Sequence, residues 1–142
     1  MFQIVVDSAA NIPAEIVKKY NIKVISFVNY INDKPLVCFD PELTQEEERA
    51  KGKEYYDAMR SGIDIKTGLI SSGNFEEYFK AIMEAGEDVL YFSLSKNISG
   101  TFNSARLAAE NLMEDTPNGR KIKLIDSLNA SLGQGILAIY AS

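Results

Sequence analysis

Hydroxyl and amide side chains cluster in the stretch LSKNISGTFNSA, where an apolar segment gives way to a helical pattern. Hydroxyl and amide groups donate hydrogen bonds, and the free N–H groups at the start of a helix attract anions. Gly100, between Ser99 and Thr101, has no Cβ, so a ligand can approach the backbone closely there. The residue types and their spacing therefore indicate a site for an anionic group at a strand-to-helix junction.

The same residues also have a simpler explanation, because Ser, Thr, Asp and Asn are the preferred N-cap residues of helices. For any one junction, capping is the favoured interpretation. The glycine-containing segments GLISSG and SLGQG match neither a Walker loop nor a GxGxxG pattern, so they do not identify a phosphate site. Lys66 and Lys96 lie close to the junctions in sequence, so a phosphate ligand stays an alternative.

Familiar catalytic constellations are missing from this sequence. It has 142 residues, no histidine and one cysteine, Cys38, so a Ser-His-Asp triad, a Cys-His pair or a His-ligated zinc site cannot be completed within it. Asp7 or Asp126 could serve a phosphotransfer-type enzyme together with a hydroxyl nucleophile, although no second Asp stands two residues after Asp7. We expect no catalytic residues, no metal and no cofactor, and a phosphotransfer enzyme is an alternative.

Charge and hydropathy narrow the possible partners and compartments. The formal net charge is -5 and the pI is near 4.8, with no concentration of Lys and Arg, which argues against a nucleic-acid partner. No apolar run approaches the ~20 residues of a membrane helix, and MFQIVVDS lacks the features of a signal peptide. A single cysteine is typical of a reducing compartment. We expect a cytoplasmic protein that does not insert into membranes.

Apolar, strand-like runs alternate with helical patterns along the chain. About five strands are predicted, most of them followed by a helix, and helices are expected to start near Asn11, Gly73 and Gly100. This alternation predicts an α/β domain with a mostly parallel, doubly wound sheet and helices on both faces. Ligands of such sheets bind beyond the carboxyl ends of the strands. Four predicted strand ends carry hydroxyl groups: Asp7-Ser8, Thr67-Gly68 with Ser71-Ser72, Ser95 to Thr101, and Asp126-Ser127 with Ser131.

Two further segments allow more specific predictions. IKVISFVNYI has the β-branched and aromatic composition of one strand, and LVCFD is expected to form a hairpin with it. Thr44 and Glu47 have the spacing of a capping box, which predicts a helix that stops at Gly62. On this helix Tyr55 and Met59 are expected to face inward.

Four segments resemble the motifs of DegV-family proteins and occur in the same order: VVDSAANIP, TGLISSGNFEEYF, LSKNISGTFNSARLAAE and LIDSLNASLGQG. These are bacterial fatty-acid-binding proteins with two lobes. The resemblance implies that residues 1–142 form the N-terminal α/β domain and that the chain ends before the second lobe. It also implies exposed apolar surface where the second lobe packs, with Phe27, Tyr30, Ile98 and Phe102 as candidates.

The resemblance further implies a long-chain fatty acid whose carboxylate is held by hydroxyl groups. The family's hydroxyl-bearing segments match Thr67 and Ser99, so these two should lie close together, with Ser71, Gly100 and Ser127 bordering the same depression. The family usually has Thr-Ser-Gln-Pro-Ser where this sequence has TGLISS. By this resemblance the protein would present the lipid to a fatty-acid kinase without chemistry of its own. A structural or interaction domain without a ligand is a further alternative.

Overall fold

A four-stranded, all-parallel sheet forms the centre of the computed structural model, which describes residues 1–114 and 119–142. Its strands are β1 (Phe2–Asp7), β2 (Lys23–Ile25), β6 (Asp88–Ser93) and β7 (Ile122–Asp126), in the spatial order β2-β1-β6-β7. The central strand β1 pairs on both sides, with Val5 opposite Lys23 of β2 and Tyr91 of β6. The carboxyl ends of β1, β6 and β7 therefore lie side by side.

Helices cover both faces of this sheet because successive side chains of β1 point to opposite sides. Val5 packs in a core that includes Phe75 and Phe79 of α3 (Ser72–Glu84) and Ala105 of α4 (Thr101–Glu114). Ile4 and Val6 pack in a second core, formed with side chains of α1 (Ala14–Lys19) and α5 (Leu132–Ala141). The predicted α/β fold with helices on both faces is confirmed.

A second, three-stranded antiparallel sheet lies beside the first. It comprises β3 (Val28–Ile31), β4 (Lys34–Val37) and β5 (Ile65–Thr67), in the order β4-β3-β5. The prediction that IKVISFVNYI forms one strand is wrong, because the chain leaves the parallel sheet at Ser26 and Phe27. There the Ser26 hydroxyl accepts hydrogen bonds from the backbone N–H groups of Cys38 and Phe39, which joins the two sheets.

The hairpin is confirmed, although its second strand begins at Lys34, before the predicted LVCFD. Asn32 and Asp33 form its turn with positive φ angles of 48° and 61°, and Val28 pairs with Val37. The interpretation of Thr67-Gly68 as the end of a parallel strand is wrong, since β5 pairs antiparallel with β3. An apolar strand composition identifies a strand without specifying its partner.

Helix starts agree with the sequence where a side chain caps the helix. α3 begins at Ser72, with Ser71 as its N-cap, and α4 begins at Thr101, each one residue from the predicted position. The helix predicted to start near Asn11 is present and starts three residues later, although Asn11 itself does not cap it. Asn11 ends the 3-10 helix Ser8–Ala10 in the left-handed conformation, and α1 begins only at Ala14.

The helix α2 (Gln45–Arg60) has the predicted capping box between Thr44 and Glu47. None of its side chains is buried, however, and Met59 is exposed, so the expectation that Met59 faces inward is wrong. Tyr55 is half-buried, and its hydroxyl oxygen accepts a hydrogen bond from the amide Nδ2 of Asn29 at 3.2 Å. This hydrogen bond connects α2 to the antiparallel sheet.

Candidate functional site

A cavity of about 400 Å³ lies between the two sheets, at the carboxyl ends of β1 and β6. The parallel-sheet side contributes Ser8, Leu94 and Ser99, and the antiparallel sheet and its connections contribute Asn29, Thr67 and Gly68, among other residues. We call this space the first cavity. Its position agrees with the rule that ligands of parallel sheets bind beyond the strand ends.

Two of the five predicted site residues, Thr67 and Ser99, line the first cavity together. Ser71, Gly100 and Ser127 are not among its lining residues. Ser71 caps α3 by accepting a hydrogen bond from the N–H of Asn74 at 3.2 Å. The Ser127 hydroxyl is occupied within its own turn, and a Cβ on Gly100 would contact Leu69, which does line the cavity, at 3.6 Å. Ligand contacts of all five residues stay predictions.

Ser99 combines the two roles that its sequence position allowed. Its Oγ accepts a hydrogen bond from the backbone N–H of Thr101 at 3.2 Å, which is a capping interaction at the start of α4. The same Oγ lies 2.9 Å from Oγ1 of Thr101, and Ser99 also lines the first cavity. The capping interaction is therefore present without removing Ser99 from the cavity wall.

The loop that carries Ser99 is fixed by three successive backbone N–H groups. That of Leu94 donates to Oδ2 of Asp7 at 2.9 Å, that of Ser95 donates to the carbonyl of Asn129 at 3.0 Å, and that of Lys96 donates to Oδ1 of Asp126 at 3.3 Å. Asp7 and Asp126 are the last residues of β1 and β7. The two carboxylates that could have served an enzyme thus hold the loop from both sides.

The carboxylate of Asp7 is fully buried and accepts two further hydrogen bonds. The Tyr91 hydroxyl donates to Oδ2 at 2.7 Å, and the N–H of Ala9 donates to Oδ1 at 3.1 Å. Burial raises the pKa of Tyr91 well above its usual value, and the nearby charge of Asp7 adds to the shift. Tyr91 therefore stays protonated and donates. Hydrogen bonds from an aromatic hydroxyl and two backbone amides replace the water that this charge would otherwise need.

The described residues that line the first cavity include no charged side chain. They combine hydroxyl and amide groups with apolar side chains such as Phe27, Leu94 and Ile98. Both lysines considered for a phosphate are engaged elsewhere: Lys66 pairs with Asp33 and Asp64, and Lys96 lies 3.7 Å from a carboxylate oxygen of Asp126. The lining suits a ligand that needs neutral hydrogen-bond donors next to apolar surface.

A second cavity of about 530 Å³ adjoins the first. The two share the lining residues Ser8, Asn11, Asn29 and Cys38. The second cavity extends beneath α2 and the hairpin, where its apolar lining includes Val24, Ile31, Leu36, Phe39 and Leu43. Among the described residues that line it, the charged side chains come from α2 and from Asp40.

Sequence reasoning missed Asn29 and Cys38 as cavity residues, since they lie on the antiparallel sheet that was not expected beside the site. Ser8 was identified as part of a strand end but not as a site residue. Its Oγ accepts a hydrogen bond from the N–H of Phe27 at 3.0 Å, where the chain passes between the sheets. Cys38 is exposed, but neighbouring protein atoms partly desolvate its thiol and raise the pKa of this group, so it is less ionised than an ordinary cysteine.

In the described part of the chain, no group of three or more His, Cys, Asp or Glu residues is placed to hold a metal ion. Across the same residues, the helices are all too short or too polar to cross a membrane.

Comparison with known proteins gives a consistent family and fold. A family model described as "uncharacterised protein, DegV family" matches residues 1–142. A DegV domain-containing protein of Clostridium perfringens is 36% identical over 142 residues, which are 99% of this chain and 46% of that protein. The chain therefore spans about half the length of the curated relatives it matches.

Solved structures of fatty-acid-binding proteins have the same fold. A stearic-acid-binding protein from Eubacterium ventriosum matches with a TM-score of 0.79 at 25% identity, over 96% of this chain and 45% of that one. A Thermotoga maritima protein described as having a fatty-acid-binding function matches with a TM-score of 0.78 at 27% identity, over 99% of this chain and 47% of that one.

Proposed function

Because the chain belongs to the DegV family, we propose that its full-length protein binds a long-chain fatty acid whose carboxylate contacts Thr67 and Ser99. The observation that carries this proposal is a cavity between two sheets that both hydroxyl-bearing residues line, without a charged side chain. A carboxylate forms strong, charge-assisted hydrogen bonds with neutral hydroxyl donors in such surroundings. The solved relatives described as binding fatty acids support the same ligand class.

The apolar part of the ligand has room beside these hydroxyl groups. Phe27, Leu69, Leu94 and Ile98 supply apolar lining in the first cavity, and the second cavity continues from it through shared residues. Acyl chains gain about 0.8 kcal/mol for each CH₂ group removed from water, so a long chain favours such surfaces. The arrangement fits an amphipathic acid better than a small polar anion.

We propose that a second lobe covers the open side of the first cavity. Leu69 and Ile98, which line it, are 63% and 65% exposed, and Tyr30 on the adjacent strand β3 is also exposed. Of the other candidates, Phe27 and Phe102 are half-buried. Exposed apolar side chains at a cavity mouth are typical of an interaction surface. The relatives are about twice as long as this chain, which provides the length for such a lobe.

The proposed role is that of a lipid carrier in the cytoplasm which presents its fatty acid to a fatty-acid kinase and performs no chemistry itself. The buried carboxylate of Asp7 supports this role, because its oxygens are occupied by Tyr91, Leu94 and Ala9 rather than directed at a substrate. An acid that is bound and recovered unchanged distinguishes a carrier from a phosphotransfer enzyme.

Replacing Ser99 by alanine in the full-length protein tests the proposed site. The hydroxyl would donate to a carboxylate, and a hydrogen bond to a charged group contributes about 1.5–3 kcal/mol. We expect the affinity for stearate, measured by titration calorimetry, to fall roughly ten- to a hundredfold or more. The loss of the capping interaction should also lower stability by around 1 kcal/mol.

Thr44→Ala is the control, because the Thr44 hydroxyl also accepts a hydrogen bond from a backbone N–H at the start of a helix, that of Glu47, and Thr44 is not a lining residue of either cavity. It should lower the melting temperature and leave the affinity unchanged. If Ser99→Ala behaves like Thr44→Ala, Ser99 is a helix cap alone and the proposed carboxylate site is wrong.

A further inference from the structure

The side chain of Thr101 lies directly behind the Ser99 hydroxyl. Thr101 is the first residue of α4 and is 0% exposed. Its Oγ1 lies 2.9 Å from Oγ of Ser99, and its backbone N–H donates to the same Oγ at 3.2 Å. Two polar groups of one buried residue thus converge on one oxygen atom that belongs to the cavity wall.

The direction of the hydroxyl–hydroxyl bond follows from the burial of Thr101. Among the described residues, Ser99 Oγ is the only hydrogen-bond partner of Thr101 Oγ1. If Ser99 were the donor, the proton of Thr101 would be left in the protein interior without an acceptor, which is costly. Thr101 is therefore the donor and Ser99 the acceptor.

With this direction of the hydrogen bond, the Ser99 hydroxyl can only donate to a further partner. A serine hydroxyl has two acceptor lone pairs and one proton. Both lone pairs of Ser99 are occupied, by the N–H and by the hydroxyl of Thr101. Its proton is then directed away from α4, on the side where Ser99 lines the first cavity.

We propose that Thr101 is a positioning residue that makes Ser99 a dedicated hydrogen-bond donor for an acceptor-only head group. This inference rests on the proposed function, because the head group is the fatty-acid carboxylate. A free serine hydroxyl rotates among three staggered positions and either donates or accepts. Here the contacts of Thr101 fix one orientation before the ligand arrives, so the carboxylate meets a donor that needs no reorientation.

The experiment compares Thr101→Val, Thr101→Ser and wild type in the full-length protein. Valine has nearly the shape of threonine but no hydroxyl, whereas serine keeps the hydroxyl. Stearate affinity should fall about twofold or more in Thr101→Val, because the backbone N–H of residue 101 still occupies one lone pair of Ser99 and the Ser99 proton then has two rotor positions instead of one. Thr101→Ser should restore most of the affinity. Thr101→Ala, which also lacks the hydroxyl, replaces the valine variant if that variant does not fold.

The affinity for octadecanol distinguishes the proposed role of Thr101 from a purely structural one, because a structural defect would weaken the binding of octadecanol and stearate equally. An alcohol head group both donates and accepts, and its hydrogen bonds are weaker than those of a carboxylate. Thr101→Val should therefore change the affinity for octadecanol less than the affinity for stearate. In a Ser99→Ala background, Thr101→Val should cause no further loss, because the hydroxyl that it positions is gone.

Three results would overturn the inference: an unchanged stearate affinity in Thr101→Val, equal losses for stearate and octadecanol, or a full effect of Thr101→Val that persists without Ser99. In each case the wild-type protein still binds stearate, so the proposed function stands. A wild-type protein that does not bind stearate refutes the proposed function and this inference together.

Discussion

Replacing Asp7 should reveal how strongly the site depends on one buried carboxylate. Asp7→Ala leaves the Tyr91 hydroxyl and the N–H of Leu94 without their acceptor, Oδ2, and the N–H of Ala9 without its acceptor, Oδ1. Each unsatisfied donor that is shielded from water costs about 1–3 kcal/mol, so the three together should lower the free energy of unfolding by about 3–9 kcal/mol. That is a large part of the 5–15 kcal/mol by which a typical domain is stable.

Asp7→Asn should be much milder. Its amide oxygen can take the place of Oδ2 and still accept from Tyr91 and Leu94, while its NH₂ group faces Ala9 and loses only that hydrogen bond. The expected loss is around 1 kcal/mol, to which the weaker, uncharged hydrogen bonds add.

Urea unfolding followed by circular dichroism measures both variants, with the slope m checked against wild type so that midpoints can be compared. Glu110→Ala is the control, because Glu110 forms an exposed pair with Arg106 on α4 and exposed pairs contribute little. Equal losses for the asparagine and alanine variants, or an alanine variant as stable as the control, would refute the hydrogen-bond reasoning.

Two further predictions concern stability. Burial raises the pKa of Tyr78 to about 12, so the unfolded chain loses this proton near pH 10 while the folded chain keeps it. The free energy of unfolding should therefore fall between pH 10 and 12, and Tyr78 should contribute about 1.4 kcal/mol per pH unit to this fall. Tyr78→Phe should make the urea midpoint less dependent on pH in this range, whereas Tyr140→Phe, which removes an exposed hydroxyl, is the control and should not. A Cβ on Gly68 would lie 2.7 Å from the carbonyl oxygen of Val28, so Gly68→Ala should lower the free energy of unfolding by about 1–3 kcal/mol through overpacking. A Cβ on Gly52 would have no atom within 4 Å, so Gly52→Ala should not destabilise the protein. Equal urea midpoints for the two variants would contradict this reasoning.

Local signals in the sequence were sufficient for the parallel sheet and most helix starts. Ser71 and the Ser99-Gly100-Thr101 segment act through contacts with residues two or three positions away, so a single sequence contains the whole interaction. The helix predicted near Asn11 starts only at Ala14, because the backbone at Asn11 adopts a left-handed conformation that ends a short 3-10 helix.

The antiparallel sheet could not be predicted in the same way. β5 has an ordinary strand composition, and its pairing with β3 depends on where the chain leaves the parallel sheet at Ser26. The cavity residues are predictable to different degrees for the same reason. A local sequence motif identifies Ser99, whereas Asn29 and Cys38 line the cavity because the two sheets pack against each other. The inward orientation expected for Met59 failed since α2 lies over a cavity rather than over a packed core.

The position of the first cavity between two sheets has a consequence for the order of folding. The hairpin of β3 and β4 forms from neighbouring residues, whereas the pairing of β1 with β6 joins Phe2 to Asp88 and closes a long loop. From these loop lengths we expect the hairpin to form early during synthesis and Ser99 to approach Thr67 only once β6 has paired with β1. A ligand that contacts both sheets binds the finished domain and not its partly folded precursors, so its binding free energy stabilises only the complete structure.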